Sequence, residues 1–319
     1  MYHVFYFYKG FQSKLLMVKR KILVIGSSNT DMTVKAEKLP RPGETIVGGV
    51  FTSGAGGKGA NQAVAAVRLG GDVSLICKVG RDVLGDNAVK GYEADGLDTS
   101  GVLRSEQPSG VALISVDAKG ENCIVVAPGA NMDLTVGDIE RSADRIREAD
   151  ILLLQLEIPV ESVLRAAEIA SEAGVCVVLN PAPYAEVPEE LFRYVTLFIP
   201  NETELSSFSG VEVRDEASAV RACQVMMDKG VSKLIVTLGS QGSLIYDGVN
   251  AIRIDPVPVH AVDTTAAGDT FCGALCVALA EGEDLVSAAN FASRAAALSV
   301  TRMGAQSSMP VRDELLTLS

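Results

Sequence analysis

Hydrophobic residues occur along this chain as short continuous runs that alternate with stretches of helical spacing. Residues 21–25 form one such run, which is typical of a strand buried on both faces of a sheet. Past residue 133 the alternation is regular, and it predicts helices at 136–147, 160–173, 202–208 and 215–229 and strands at 151–156, 175–179, 195–199 and 233–237. Such alternation indicates an α/β fold with a mostly parallel sheet and helices on both faces.

The first half of the chain departs from this rhythm in two places. Further strands are predicted at 31–36, 44–51 and 73–79, helices at 58–69 and 84–95, a hairpin at 110–116 and 123–127, and closing helices at 267–281 and 284–302. Residues 30–55 and 108–128 lie outside the alternating pattern, and we expect them to form a small β lid. We predict a single domain over 17–319 that carries this lid.

The first 16 residues are unusual, because residues 1–8 alone include five of the chain's sixteen aromatic side chains. They lack the basic start and the small-residue cleavage site of a signal peptide. We therefore expect an N-terminal extension that is not part of the fold. No apolar run reaches the ~18 residues of a membrane-spanning helix, so the sequence predicts no membrane span.

Composition and charge exclude several classes of function. The chain has 319 residues, of which 48% are hydrophobic, and a formal net charge of −12, which disfavours nucleic acid as a partner. It has only two histidines, which nearly excludes a histidine-centred zinc site or a Ser-His-Asp triad. Its six cysteines form no CxxC pair, which is typical of reduced thiols in a cytoplasmic protein. Carboxylates must therefore carry any acid–base chemistry.

The first of two glycine-rich segments is Gly54-Ala-Gly-Gly-Lys-Gly-Ala-Asn61. It matches GxGxxG, the fingerprint of dinucleotide binding. However, it does not directly follow the first buried strand, and no acid stands at a strand end about 20 residues later. Dinucleotide binding is therefore disfavoured. Lys58 is followed by Gly59 rather than Ser or Thr, which excludes a Walker A loop. The segment is either a simple turn before a helix or a close backbone approach to a polar ligand, whose hydroxyls Lys58 and Asn61 would reach.

The second segment, Asp263-Thr-Thr-Ala-Ala-Gly-Asp269, leads into the predicted helix 267–281. The residues Ala266, Ala267 and Gly268 have no large side chain, so their backbone N–H groups are unobstructed where the helix begins. A helix N-terminus attracts anions, and a developing phosphoryl charge would be stabilised there. An ordinary acid near a helix start is the alternative, but two framing aspartates are hard to explain as caps. The segment suggests phosphoryl transfer to a hydroxyl.

Further polar residues follow predicted strands, whose carboxyl ends meet at one edge of a parallel sheet. Asn201 and Glu204 match a capping box, and the alternative is a ligand site at which Glu204 orders a hydrated Mg²⁺. Glu157 directly follows the run 152–156. Asp31 follows residues 26–30 at the end of the first strand, where an Asx turn is the alternative. The segment 237–242 is either a plain turn or a turn that holds phosphates.

Seven segments together resemble the ribokinase family of carbohydrate kinases, from about residue 20 to the end. They are Gly26-Ser-Ser-Asn-Thr-Asp31, Pro42-Gly-Glu-Thr45, the run 56–65, Asn180-Pro-Ala-Pro183, Asn201-Glu-Thr-Glu204, Asp263–Asp269 and the run 302–308. The resemblance implies a central sheet with flanking helices and a small β lid that pairs two subunits as a homodimer. It also implies that the lid excludes water.

The resemblance further implies a role for each matching residue. Asp269 would be the catalytic base, and Ala266, Ala267 and Gly268 would form the anion hole. The sugar would contact Asn29, Asp31, Gly56, Gly57, Lys58, Asn61, Glu157 and Asp269. ATP would contact Asn201, Glu204, Thr237, Gly239, Ser240, Gly242, Gly268 and Ser293, with Mg²⁺ held by Glu204 through water. A K⁺ ion would be held by Asp263, Thr265, Ser299, Arg302, Gly304 and Ser308.

Two residues depart from the family pattern. Ser293 stands where a relative has a histidine beside the adenine, and Thr265 replaces a commonly apolar residue. The expected reaction is ATP-dependent phosphorylation of D-ribose at O5. A kinase of the same fold for 2-deoxyribose, fructose, a ketodeoxy acid or a nucleoside is the nearest alternative, and a sugar-binding protein without kinase activity is another.

Overall fold

The apolar run at residues 21–25 forms an inner strand of the larger of two sheets. The computed structural model describes residues 20–317, and all structural statements below concern that part of the chain. Its strands are β1 (Lys21–Ile25), β2 (Asn29–Lys35), β3 (Val50–Gly56), β4 (Asp72–Gly80), β5 (Val102–Ser105), β6 (Gly110–Val116), β7 (Asn122–Ala127), β8 (Ile151–Leu154), β9 (Cys176–Leu179), β10 (Leu197–Phe198), β11 (Lys233–Thr237), β12 (Ser243–Tyr246) and β13 (Ala251–Ile254).

The larger sheet has the spatial order β13-β12-β11-β10-β9-β8-β1-β4-β5. Its strands from β11 to β5 pair in parallel, and at one edge β12 pairs antiparallel with both β11 and β13. The predicted α/β class with a mostly parallel sheet is therefore confirmed. In a parallel sheet the chain crosses back between strands, so all of the parallel carboxyl ends lie at the same edge.

Helices cover both faces of this sheet. They are α1 (Lys58–Arg68), α2 (Val83–Ala94), α3 (Val136–Arg141), α4 (Ala143–Arg147), α5 (Val160–Glu172), α6 (Leu191–Tyr194), α7 (Glu202–Ser209), α8 (Glu216–Asp228), α9 (Ala267–Ala280) and α10 (Leu285–Ser299). Two apolar clusters result, because alternate side chains of each strand point to opposite faces. Helices α1, α9 and α10 pack against one face, and α5, α7 and α8 pack against the other.

The second sheet is small and has the order β3-β2-β6-β7. The predicted hairpin of β6 and β7 is confirmed, since these strands pair antiparallel from Val111 with Ala127 to Val116 with Asn122. The predicted strand 44–51 is wrong, because residues 44–49 form no strand and β3 begins at Val50. Gly48 and Gly49 have φ values of 106° and 129°, which differ from those of a strand. The extended chain therefore starts after them, at Val50, where β3 pairs with β2.

The predicted single helix 136–147 is also wrong in one detail. It is divided into α3 and α4 at Ser142, whose hydroxyl donates to the carbonyl of Asp138 at 3.0 Å. A serine that bonds back to the preceding turn competes with the helical hydrogen bond and bends the helix.

The assignment of residues 17–319 to one domain with a lid stays a prediction. The structure adds that the small sheet takes its strands from 29–56 and 110–127, close to the ranges expected for the lid. The predicted N-terminal extension, residues 1–16, lies outside the described residues.

Candidate active site

The carboxyl ends of the parallel strands bring together most of the polar residues singled out in the sequence. After β1 the chain turns at Ser27 and Ser28, and after β8 it reaches Gln155 and Glu157. Asn180 follows β9 in the same way. The convergence expected from sequence is therefore observed at this edge.

Glu157 links the first strand to the glycine-rich segment. Its Oε2 accepts hydrogen bonds from the hydroxyl of Ser27 at 2.5 Å and from the backbone amide of Lys58 at 3.0 Å. The second bond places a carboxylate at the start of α1, where the helix dipole favours negative charge. Gly57, with a φ of 88°, makes the turn into this helix. The glycine-rich segment is thus a helix start that is fixed by an acid of a distant strand.

Asp269 is buried in the first turn of α9 and is 6% exposed. Its Oδ2 accepts from the side-chain amide of Asn61 at 3.0 Å, and its Oδ1 accepts from that of Gln62 at 2.9 Å. Burial raises the pKa of Asp269 above its ordinary value, and the Lys58 charge and these two donors oppose that shift. The acid of the second glycine-rich segment therefore lies against the helix that begins in the first.

Lys58 supplies positive charge in the midst of acids. Burial acts to lower the pKa of its ammonium group, but Asp269, Glu157 and Glu204 together raise that pKa above its ordinary value. The lysine is therefore a fixed cation among carboxylates, which suits it to neutralise charge and bind hydroxyls.

Asp31 lies on β2, paired in register with Gly54 of β3. Burial, reinforced by the charges of Glu157 and Asp269, raises the pKa of its carboxyl group to about 6. A side chain at Gly56 would collide with both carboxylate oxygens of Asp31, so this glycine leaves the room that the acid occupies.

Asn29 is less available than the sequence suggested. It is 7% exposed, and its Oδ1 accepts from the side-chain amide of Asn131 at 2.7 Å. Asn131 also bonds the backbone of Ser28 in both directions, at 2.8 and 3.2 Å. Asn29 and Glu157 line a cavity of about 520 Å³ between the small sheet and the start of α5. Asn131 was not recognised in the sequence, because no motif surrounds it.

The start of α9 has an unusual backbone. Ala266 has a φ of 58°, the left-handed conformation that alanine seldom adopts. The amide of Ala267 donates within the loop to Thr264 at 3.3 Å, so it is less free than expected from the sequence. The next amides, of Gly268 and Asp269, have no acceptor within residues 20–317. Strain of this kind is often found where a backbone is shaped for a ligand.

Asn201 and Glu204 form the capping box that was the structural alternative. The Asn201 side chain accepts from the Glu204 amide at 2.8 Å, and the Glu204 Oε2 accepts from the Asn201 amide at 2.9 Å. Burial is the main cause that raises the pKa of Glu204, and Asp269 adds to it. The cap occupies one oxygen of Glu204 and leaves the other available near Lys58 and Asp269.

The segment 237–242 is the turn between β11 and β12. Thr237 donates its amide to the carbonyl of Pro200 at 2.9 Å, beside Asn201. Gly239 and Ser240 are exposed in a short 3₁₀ turn, and Gly239 and Gly242 have φ values of 54° and 89°. This turn therefore opens beside the start of α7. Ser293 lies half-buried on α10.

Asp263 ties the loop before α9 to the last segment of the chain. Its Oδ1 accepts from the amide and the hydroxyl of Thr265, at 2.9 and 2.6 Å, and its Oδ2 accepts from the amide of Gly304 at 2.8 Å. Burial acts to raise the pKa of Asp263, but these hydrogen bonds hold it below its ordinary value. Ser299 and Ser308 are buried and bond local carbonyls, and Arg302 pairs with Glu314 at 2.6 Å.

No cluster of three or more His, Cys, Asp or Glu side chains suited to a metal occurs within residues 20–317. A magnesium ion that is bound mainly by nucleotide phosphates needs only one or two carboxylates, which the free oxygen of Glu204 satisfies. No helix in the same part of the chain combines the length and the apolar character that crossing a membrane requires.

Comparison with known proteins agrees with this geometry. Residues 19–312 match the sequence profile of the pfkB family carbohydrate kinases. The chain belongs to this family. It is therefore an ATP-dependent carbohydrate kinase. Its similarity to individual relatives extends over most of its length.

Three relatives and one solved structure illustrate the similarity. The kinase is 42% identical over 300 residues to the ribokinase of Haemophilus influenzae, covering 94% of this chain and 98% of the relative. It is 38% identical over 291 residues to a deoxyribokinase of Salmonella typhi, covering 91% and 95%. It is 41% identical over 302 residues to a bifunctional ribokinase/ribose-5-phosphate isomerase A of Fructilactobacillus sanfranciscensis, covering 94% of this chain but only 56% of that relative. An Arabidopsis thaliana ribokinase complexed with ribose and ATP has a TM-score of 0.88 at 34% identity, covering 94% and 98%.

Proposed function

We propose that this kinase transfers the γ-phosphoryl group of ATP to O5 of D-ribose and releases ribose 5-phosphate and ADP. The observation that carries the proposal is the buried carboxylate of Asp269, hydrogen-bonded to Asn61 of α1 at the open start of α9. The relatives named ribokinase support ribose as the sugar. Family membership alone does not distinguish ribose from 2-deoxyribose as the acceptor, because a deoxyribokinase relative is nearly as similar.

Asp269 is the base that takes the proton of the sugar's primary hydroxyl as that oxygen attacks phosphorus. The amides of Gly268 and Asp269 point to no acceptor among the described residues and can therefore stabilise the phosphoryl oxygens, with Ala266 and Ala267 shaping the loop. The transition state of phosphoryl transfer is largely dissociative, so the protein acts mainly through positioning and charge.

The sugar lies between the small sheet and the start of α1. The buried Oδ1 of Asn61 has no hydrogen-bond partner in the described structure, which suits it to accept from a sugar hydroxyl. Asp31 and Glu157 accept hydrogen bonds from further sugar hydroxyls, and the ammonium group of Lys58 donates hydrogen bonds to sugar hydroxyls. The remaining contacts are the backbone of Gly56 and Gly57 and the side chain of Asn29.

ATP lies across the carboxyl ends of β10 and β11. Its proposed contacts are Asn201, Glu204, Thr237, Gly239, Ser240, Gly242, Gly268 and Ser293. Glu204 holds Mg²⁺ through water, and bound Mg²⁺ supplies charge that neutralises the phosphates. The residues proposed for K⁺ are Asp263, Thr265, Ser299, Arg302, Gly304 and Ser308. The bond from Gly304 to Asp263 shows that these two segments are already joined, so an ion there would stiffen the loop before α9.

The test is a panel of acceptors with ATP: ribose, 2-deoxyribose, fructose and adenosine, each in K⁺ and in Na⁺ buffers. We expect ribose to give the highest kcat/KM, with ribose 5-phosphate as product, and a higher rate in K⁺. A higher kcat/KM for 2-deoxyribose would make this chain a deoxyribokinase, and ATP binding without consumption would indicate a sugar-binding protein. Equal rates in the two salts would contradict the K⁺ site.

We also propose a homodimer that pairs through the small sheet. The strand register puts Val34, Phe51, Leu113 and Val125 on one face, opposite to the face that carries Asp31. They are 41%, 61%, 54% and 67% exposed, and a contiguous apolar face of this kind favours association. Light scattering should give twice the monomer mass, and Phe51→Glu should reduce it. A monomer at micromolar concentration would contradict the dimer.

A further inference from the structure

Gln62 is a completely buried amide side chain on α1, one position after Asn61. Its Nε2 donates to Oδ1 of Asp269 at 2.9 Å and to Oδ1 of Asn180 at 3.0 Å. Its Oε1 accepts from Nε2 of Gln155 at 2.6 Å. Both N–H groups and the carbonyl of this side chain are therefore used, and none of its partners lies on its own helix.

The orientation of this amide is determined by its partners. A carboxylate can only accept, so the atom of Gln62 that faces Asp269 must be the nitrogen. Asn180 donates its own Nδ2 to the carbonyl of Ile199 at 2.9 Å, which leaves its Oδ1 to face Gln62. A reversed amide would put its oxygen against the acid and lose both bonds. Gln62 is therefore an obligatory donor to Asp269.

The network connects the acid to the edge of the larger sheet. Gln155 follows β8 and Asn180 follows β9, and both strands are central and buried. Gln155 is 0% exposed, Asn180 is 9% exposed, and Asp269 lies in the first turn of α9. A buried polar group with several fixed partners loses much free energy if it moves, so this chain of amides holds the carboxylate against two rigid strands.

The two donors divide the carboxylate between them. Asn61 binds Oδ2 and Gln62 binds Oδ1, so each oxygen keeps one further lone pair. Asn61 faces the proposed sugar site, whereas Gln62 is buried behind the acid and reaches only protein. Their roles therefore differ: one can contact substrate, and the other acts only through Asp269.

We propose that Gln62, supported by Asn180 and Gln155, is a positioning residue that fixes the orientation of the Asp269 carboxylate and favours its ionised form. The proposal rests on the proposed role of Asp269 as the base. An amide that donates to the charged form of a buried acid offsets part of the cost of burying that charge. Without Gln62 the acid would be less well aimed and would be protonated over a wider pH range.

The test compares Gln62→Leu and Gln62→Glu with the wild-type kinase, using the acceptor that gives the highest kcat/KM. For both variants we expect kcat to fall about 10- to 100-fold at pH 7, because Asp269 is misaligned or shares a proton. The KM for the sugar should change less than about threefold. The acidic limb of the kcat–pH profile should move to higher pH, so activity partly recovers between pH 7 and 9.

Ser162→Ala is the matched control, because Ser162 is equally buried on α5 and donates to the carbonyl of Leu134 at 2.7 Å, away from the site. Its thermal stability should fall while its pH profile stays unchanged. Gln62→Glu is isosteric and gives the decisive profile if Gln62→Leu does not fold.

Two outcomes would overturn the inference. One is a wild-type acidic limb in a folded Gln62→Glu variant. The other is a loss of activity that reflects KM alone. An Asp269→Asn variant assayed in parallel separates this failure from that of the proposed function. If Asp269→Asn is inactive while the Gln62 variants behave as wild type, the base stands and the positioning role falls. If Asp269→Asn is fully active, the base itself is wrong.

Discussion

The two glycine-rich segments use the same residue type for opposite purposes. In the first, a Cβ added to Gly57 would lie 2.6 Å from the amide nitrogen of Asn29, and one added to Gly59 would lie 2.6 Å from backbone atoms of Gly26. In the second, a Cβ added to Gly268 would meet nothing within 4 Å. The first segment therefore needs glycine so that backbone can pack on backbone, whereas the second keeps a space open beside the acid.

This difference gives the first segment a supporting role and places the second beside the reacting groups of the proposed reaction. The close approach of α1 to the turn after β1 holds Lys58, Asn61 and Gln62 at fixed positions around Asp269. The start of α9 leaves the amides of Gly268 and Asp269 uncovered. Substitutions of the closely packed Gly57 and Gly59 should therefore act mainly on stability, and substitutions of Gly268 and Asp269 mainly on turnover.

The largest effect is expected from Asp269→Asn, which removes the proposed base but keeps the size of the side chain. General base catalysis contributes about 10²- to 10⁴-fold, so kcat should fall by that factor while ATP still binds. Steady-state rates and calorimetric titration with ATP measure the two properties. Turnover within threefold of wild type would remove the base assignment.

Gly59→Ala should mainly lower the free energy of unfolding. Its Cβ would lie 2.6 Å from three backbone atoms of the turn after β1, and forced overpacking costs about 1–3 kcal/mol or more. Urea unfolding measures the change. Gly91→Ala is the control, because that helical glycine has open space around its Cβ and should gain about 0.5–1 kcal/mol. A Gly59 variant as stable as wild type would contradict the packing role.

Gly268→Ala should have the opposite profile. The position has helical backbone and open space, so alanine should raise the free energy of unfolding by about 0.5 kcal/mol. The added methyl group would crowd the phosphoryl oxygens, and kcat should fall about tenfold, which corresponds to about 1.4 kcal/mol. Urea unfolding and kcat are measured on the same preparation. Unchanged kcat would show that the open space is not used by the reacting group.

A pH effect should separate the packing role of the first segment from the proposed sugar contact of Asp31, which lies against Gly56 of that segment. The pKa of Asp31 is raised to about 6, so this acid loses its charge as the pH falls through that value. If Asp31 accepts from sugar hydroxyls in its ionised form, the KM for the sugar should rise up to about tenfold between pH 7 and 5. Asp31→Asn should have a higher KM that no longer varies in this range. A wild-type KM that is constant across the range would contradict this role.

The smallest effect is expected from Ala266→Gly in the second segment. Glycine relieves the left-handed strain at φ 58°, worth roughly 1–2 kcal/mol. Glycine also raises the conformational entropy of the unfolded chain, which lowers stability by about 0.4–1 kcal/mol. The free energy of unfolding should therefore rise by about 0.5 kcal/mol in total. Thermal unfolding checks this value. A net loss would show that the loop, rather than the alanine, stores the strain.

Much of the fold was open to prediction, because the apolar runs have the period of the element that they form. The strand at 21–25 and the hairpin of β6 and β7 were found in this way. The strand predicted at 44–51 failed because its apolar residues are exposed in the structure: Val47 is 94% exposed. The break at Ser142 was missed because it depends on one side chain bonding the preceding turn.

The site was predicted only where a local motif marks it. Asp269, Lys58 and Glu157 stand beside glycines or at a strand end, and these signals lie within a few residues of each acid or base. Gln155 and Asn131 carry no such signal, and Gln62 and Asn180 lie in segments that resemble the family but were assigned no role there, since buried amides at helix and strand ends are common. Their function depends on partners that are distant in the chain, as Gln62 and Asp269 are.

By itself the sequence determined the succession of strands and helices and the chemistry available at the strand ends, because both depend on residue type and short-range spacing. Only the tertiary structure decided which amide donates to which acid, since that choice depends on the packing of α1 against α9 and on the edge of the sheet. The same packing decided that one glycine-rich segment is closed by backbone and the other open. Those distances, rather than the motifs, determine how the carboxylate of Asp269 is held.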